Sequence, residues 1–236
     1  MNIAIIPARG GSKRIPRKNI KNFAGRPMIS YAVTAAIDTG LFSHVIVSTD
    51  DHEIAEIAKH YSAEIPFIRP AELSDDHTPT VPVIKHAIDQ LELQGVHPEH
   101  VCCIYPAVPL IYTYDLLAGF QLLQQLPSVD YSFPIAHFPS AIQRALRIHA
   151  SGRVNSFYPE HELVRSQDLE PAFYDAGQFY WGRCEAWKGN PFIHNSGAGI
   201  IIPSWRVVDI DTEEDWRRAE IIYQLLLEKE NEERFA

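Results

Sequence analysis

The sequence predicts an α/β fold in which a mostly parallel sheet carries helices on both faces. Three observations support it. Short β-branched runs alternate with amphipathic helical stretches through the first 125 residues. The chain has 236 residues, 46% of them hydrophobic and 22% charged, enough to bury a full core without disulfide staples. Adjacent cysteines, Cys102 and Cys103, lie inside an apolar run, as in a buried strand kept in a reducing compartment.

The elements follow in order. Asn2–Pro7 is a β-branched run closed by proline and predicts a strand. Residues 8–27 are rich in Gly, Pro and basic side chains and predict a long loop. Residues 28–38 have helical composition and stop at Gly40. A second strand is expected at His44–Ser48. The helix after it starts where Asp50 and Glu53 have capping-box spacing, with Asp50 and Asp51 as caps, and Ile54, Ile57, Ala58 and Tyr61 form its apolar face.

Residues 64–68 suggest a third strand and residues 69–80 a polar loop. Residues 83–93 form a helix with Ile84, Ala87, Ile88 and Leu91 on one stripe. A buried strand at 101–105 and a helix at Thr113–Gln125 complete the alternating part. From 130 to about 175 the pattern changes to short strand candidates with turn signals such as Ser151-Gly152, which predicts an antiparallel insertion or a dimerisation arm. Strand character returns at 173–181 and 199–202. A last helix begins near Thr212, where Thr212 and Asp215 match a capping box, and runs to Leu227, followed by an acidic, solvated stretch at 228–233.

Charge narrows the function. The net charge of −9 argues against general nucleic-acid or anionic-membrane binding. No apolar stretch approaches a membrane span, and the start lacks the order of a secretory signal, so a cytoplasmic protein is expected. Yet residues 1–37 hold seven basic residues and no acidic one, leaving 14 basic against 30 acidic in the remainder. That block follows a strand, where α/β proteins bind ligands.

Its centre is P-A-R-G-G-S-K-R-I-P-R-K-N at residues 7–19. From Ala8 through Ser12, glycines Gly10 and Gly11 let backbone N–H groups approach an anion closely. Arg9, Lys13 and Lys18 can neutralise phosphate oxygens, Arg with two donors and Lys as a point charge. The loop is neither a Walker A motif nor a G-x-G-x-x-G fingerprint. Near the other end, Asp209 and Asp211 at i, i+2 on an extended segment point to one side, so both can reach one hard cation. Acidic residues in front of a helix N-terminus would look the same. The histidines give no H-E-x-x-H, and Cys184 has no nearby His in sequence to mark a nucleophile, so zinc and thiol chemistry are not expected. Trp181, Trp187, Trp205 and Trp216 are expected in the core or at a subunit interface.

The loop motif resembles the signature of the CMP-sugar synthetases, the cytidylyltransferases that activate nonulosonic acids. Val47-Ser-Thr-Asp50 with Glu53-Ile-Ala55 resembles that family's second strand and helix. Arg69-Pro-Ala-Glu-Leu73 with Asp76 is similar to its R-P-x-x-L-x-x-D loop, Asp175 through Tyr180 to its N-G-x-F-Y segment, and Asp209-Ile-Asp211 to its late D-I-D. Asp76-His-Thr78, Cys102 through Tyr105, Ile142 through Leu146, Arg165 through Asp168 and Asp175 through Gly182 resemble the pseudaminic acid branch. The sialic acid branch has Q-P-T-S-P where this chain has Tyr105 through Pro109, and losing those polar groups suits a less hydroxylated sugar.

The resemblance implies a single Rossmann-like cytidylyltransferase domain of the nucleotide-diphospho-sugar transferase type, with a dimerisation and sugar-binding excursion at 130–175. It implies CMP transfer from CTP to a nonulosonic acid, closest to pseudaminic acid, with sialic or legionaminic acid as alternatives. Ala8, Arg9, Gly10, Gly11, Ser12, Lys13 and Lys18 would hold the triphosphate, Asn19 the ribose or base, and Arg69 and Thr80 the cytosine end. Arg165 would meet the sugar carboxylate, with Tyr105 and Gln178 lining the sugar pocket. Asp209 and Asp211 would bind Mg2+, Asp211 with Arg9, Lys13 and Lys18 would be catalytic, and the proton acceptor would be Asp211 or a metal-bound water. The expected assembly is a homodimer. A non-catalytic nucleotide-sugar-binding domain is the rival outside the enzyme class; Arg9, Lys18, Asn19, Asp209 and Asp211 occurring together argue against it.

Overall fold

In the computed structural model, residues 1–235 are described, with side chains through residue 229. Strand β1 (Asn2–Pro7) is central, because its residues alternate between two buried faces. It pairs in parallel with β4 (His44–Ser48) and β5 (His100–Ile104), aligning Ile5 with Ile46 and Cys103. Two very short strands, β2 (Asn22–Phe23) and β3 (Arg26–Pro27), form a small hairpin inside the segment expected to be all loop. Beyond β5, the reversed strand β10 (Phe179–Arg183) pairs antiparallel with β5 and β6 (Tyr131–His137), and β11 (Gly197–Ile201) runs parallel to β6. With β9 (Phe173–Asp175) on β6, the sheet has seven strands.

Helices cover both faces, as the alternation requires. On one side Ala4, Ile6, Val45 and Val47 pack with α1 (Ile29–Asp38), α2 (His52–His60) and α4 (Thr113–Gln125) through Val33, Ile54 and Leu116. On the other, Ile3, Ile5, Ile46 and Val101 meet α3 (Thr80–Leu93) and α5 (Cys184–Gly189) through Ile84, Ile88 and Trp187. Cys102 and Cys103 are fully buried, one on each face. A third cluster docks α6 (Glu213–Phe235) on the basic loop: Trp216 and Ala219 pack with Ile15, Phe23 and Ile210. No helix among the described residues is long and apolar enough to cross a membrane.

Several expectations need correction. Residues 64–68 do not form a strand; one parallel bridge joins Ile46 to Glu64, and Pro66 withholds the donor needed to extend it. The cap of α2 is Asp51, whose carboxylate accepts the amides of Glu53 and Ile54 at 2.9 and 3.0 Å, and not Asp50. Helix α3 starts at Thr80 rather than 83, since Pro82 in its first turn forfeits no internal hydrogen bond. The short α5 was not expected. Trp205 is 49% exposed, whereas the other tryptophans are buried. The Thr212–Asp215 box forms as expected, with Asp215 accepting the Thr212 amide at 2.8 Å and Thr212 Oγ1 accepting the Asp215 amide at 3.2 Å. Of the stretch 228–233, Glu228 is exposed, and the side chains from 230 on lie outside the described residues.

Between β6 and β9 the chain leaves the sheet. Strands β7 (Leu146–Ile148) and β8 (Val154–Ser156) form an antiparallel hairpin pairing only with each other. Leu146, Ile148, Val154 and Leu163 on this excursion are between 59 and 99% exposed.

Candidate active site

The basic loop leaves the buried end of β1. Ala8 is buried and extends the parallel pairing by donating its amide to the Ser48 carbonyl at 2.9 Å. The Gly10 amide donates to Asp50 Oδ1 at 2.9 Å, and a Cβ there would stand 2.6 Å from Asp51 Oδ2. Gly10 therefore allows the loop to lie against the start of α2. Gly11 faces open space. Further along, Arg17 adopts a left-handed backbone, φ +57°, held by ion pairs with Asp51 and Glu53. Asn19 is buried and donates to the Arg9 carbonyl at 2.9 Å, bracing the loop from beneath.

Across from the loop, Arg206 and Asp115 form a buried ion pair at 2.6 Å, and the Arg206 carbonyl accepts from Gln178 at 3.2 Å. This pair ties the run leading to Asp209 and Asp211 to α4. Lys18 crosses the gap, donating to the Ile210 carbonyl at 2.6 Å with Asp211 3.6 Å away. Arg14 pairs with Asp211 at 2.7 Å.

A cleft of about 450 Å3 results, at the ends of β1 and β5. It brings together Arg9, Ser12, Lys13, Lys18, Asn19, Arg69, Thr80, Tyr105, Asp209 and Asp211, all singled out in the sequence. Ala8, Gly10 and Gly11 shape the loop beneath without lining the cleft. Gln178 lies buried beside the lining residue Gly177, its Oε1 without a partner. Arg165 is exposed on the excursion, outside this cleft. Arg14, Asp75, Asp76 and Gly177 also line it, and sequence reading gave them no role. The signals were their places in the stretches already singled out: Arg14 in the loop motif, Asp76 in R-P-x-x-L-x-x-D and Gly177 between Asp175 and Tyr180.

The electrostatics are paired. Arg9 meets Asp76 at 2.9 Å, and Lys13 meets the same carboxylate. Arg69 is 4% exposed, with Nη2 unbonded and Asp50 3.8 Å away; burial lowers its pKa. Tyr105 bonds Thr80 at 2.9 Å, and burial pushes its phenol up to about 12, so it stays neutral at physiological pH. Burial, then the neighbouring Asp211, raises the Asp209 carboxyl above the usual range. Two neighbouring carboxylates that repel each other, facing a cationic loop across the cleft, suit a hard divalent cation. Among the described residues no group of three or more His, Cys, Asp or Glu could hold a metal, so such a cation would need ligands from substrate phosphates.

Comparison with known proteins matches residues 3–175 to the family described as cytidylyltransferase. A pseudaminic acid cytidylyltransferase of Campylobacter jejuni is 41% identical over 225 residues, covering 95% of this chain and 97% of that one. The N-acylneuraminate cytidylyltransferase B of Danio rerio is 31% identical over 226 residues, 92% of this chain and 50% of that one. Among solved structures, a CMP:2-keto-3-deoxy-manno-octonic acid synthetase complexed with CTP superposes with a TM-score of 0.70 at 16% identity, covering 97% of this chain and 99% of that one. The fold is thus of the nucleotide-sugar transferase type.

Proposed function

The chain belongs to the cytidylyltransferase family, and on that premise we propose that it transfers CMP from CTP to the anomeric hydroxyl of pseudaminic acid, releasing pyrophosphate. The observation that carries this reading is the facing of a loop of cations and a carboxylate pair across one cleft, in a chain 41% identical to a pseudaminic acid cytidylyltransferase over 95% of its length. Arg9, Lys13 and Lys18 neutralise the triphosphate and the leaving pyrophosphate. Asn19 fixes the loop near the ribose, and Arg69 and Thr80 receive the cytosine end. The hydroxyl attacks the α-phosphorus in line, so catalysis is mostly orientation and charge neutralisation. The hydroxyl proton passes to Asp211 or to a water held beside it. Asp209 and Asp211 hold Mg2+, which when bound supplies further positive charge to the phosphate oxygens.

Tyr105 and Gln178 border the sugar, and the apolar Pro106 and Ala107 lining the cleft suit a sugar with few hydroxyls. Arg165 lies outside its own cleft, which supports a homodimer whose excursions exchange, Arg165 serving the carboxylate of the partner's sugar. The chain from 1 to 236 then acts as one catalytic domain, with 130–175 as its dimerisation and sugar-binding insertion. Free, buried Cys102, Cys103 and Cys184 and the use of CTP fit a cytoplasmic enzyme. Phosphorus NMR of a mixture with CTP, Mg2+ and pseudaminic acid tests the reaction: the α-phosphorus should become a phosphodiester as pyrophosphate appears. CTP that stays intact while binding measurably would favour the non-catalytic reading.

A further inference from the structure

Asp76 lines the cleft, and the proposed reaction gives it no role. Its Oδ1 accepts from Arg9 Nη1 at 2.9 Å and its Oδ2 from Lys13 Nζ, while the neighbouring Asp75 carbonyl takes a further bond from Arg9. One carboxylate thus engages two of the three cations assigned to the phosphates. The turn that delivers it braces itself: Asp75 Oδ1 accepts the amides of His77 and Thr78 at 2.9 and 2.7 Å and the Thr78 hydroxyl at 2.6 Å. Such a turn can move as a unit without losing its internal bonds. The Asp76 carboxyl is held below the usual range, first by its bond from Lys13.

A triphosphate or pyrophosphate brings several negative oxygens to these same donors. Carboxylate and phosphate then compete, since like charges cannot share two cations at contact without a large penalty. Resting on the phosphate role assigned above to Arg9 and Lys13, we propose that Asp76 is a positioning residue that stands in for phosphate: it holds both cations in place in the free cleft, yields to CTP, and returns to displace pyrophosphate. The paired state spares Arg9 and Lys13 from bending toward other carboxylates. It also weakens product binding, which favours release.

Titration calorimetry with inorganic pyrophosphate at fixed Mg2+ tests this on wild type, Asp76→Asn, Glu72→Gln and Arg9→Ala. Glu72 is a carboxylate of the same loop that is not the partner of Arg9 or Lys13. Two partly exposed ion pairs removed from the competition should tighten pyrophosphate binding about three- to tenfold in Asp76→Asn. The KM for CTP should fall by a similar factor with the melting temperature unchanged, whereas Glu72→Gln should match wild type. A residue serving only to build the loop would instead weaken binding when changed. Unchanged or weaker binding in Asp76→Asn, with Arg9→Ala clearly impaired, overturns the stand-in role and leaves the phosphate loop intact. Equal tightening in Asp76→Asn and Glu72→Gln overturns it as a general charge effect. Arg9→Ala binding pyrophosphate as well as wild type would remove the phosphate assignment itself.

Discussion

Asp209 and Asp211 sit two positions apart lining a cationic cleft, where burial, and after it the neighbouring Asp211, raises the Asp209 carboxyl. In the proposed function they hold the cation. Asp211→Ala should therefore abolish Mg2+-dependent turnover while leaving the melting temperature within a few degrees of wild type. A Mg2+ titration of initial rates checks it, and full Mg2+-dependent activity in the variant would refute the assignment. At this scale the cations were legible in the sequence, because no acidic residue precedes Asp38 to blur the block. Their partners were not. Asp76 lies more than 60 residues from Arg9, and only the return of the chain after β4 brings the two together. Arg165 is the opposite case: a local stretch suggested a sugar contact, yet the fold leaves it outside the cleft of its own chain.

Elements are held in register by a few polar anchors. Asp51 caps α2 and pairs with Arg17, whose hydrogen bond holds the Asp51 carboxyl down to about 2. Its folded value is depressed below the ordinary 3.8, so the pair stabilises the protein above about pH 4 and loses its contribution as pH falls toward 2. Asp51→Asn should consequently melt below wild type at pH 7, with the gap closing by pH 2; a gap independent of pH would point to packing instead. The buried Arg206–Asp115 pair anchors the 204–211 run to α4. Removing one partner leaves a buried charge, so Asp115→Ala should lose about 3–5 kcal/mol in denaturant unfolding. The capping box at Thr212 could be read from spacing because both partners lie within one turn. The choice between Asp50 and Asp51 could not, since adjacent acids offer the same side chain one residue apart. Residues 64–68 have the apolar composition of a strand, yet Pro66 limits their pairing to the single bridge at Glu64.

For the whole molecule, alternation of strands and helices up to residue 125 was enough to predict a mostly parallel sheet covered on both faces. The reversal of β10 between β5 and β6 was not foreseeable, because strand direction depends on where the chain re-enters the sheet after its excursion. The excursion itself carries the exposed Leu146, Ile148, Val154 and Leu163, apolar side chains that a partner surface could bury. In the proposed dimer these side chains are buried, so an Ile148→Glu and Leu163→Glu double variant should elute as a monomer in light-scattering chromatography and still bind CTP. A wild-type monomer would contradict that assembly.

In the proposed reaction, CMP passes to pseudaminic acid in a cleft built from a cationic loop and an acidic pair. Pyrophosphate release from CTP and Mg2+ is to be measured with pseudaminic, sialic and legionaminic acids side by side. Release with pseudaminic acid well above that with the other two is the result expected from the apolar Pro106 and Ala107 lining the cleft. Release with another sugar alone would contradict the substrate assignment, and none with any sugar would contradict the transfer itself.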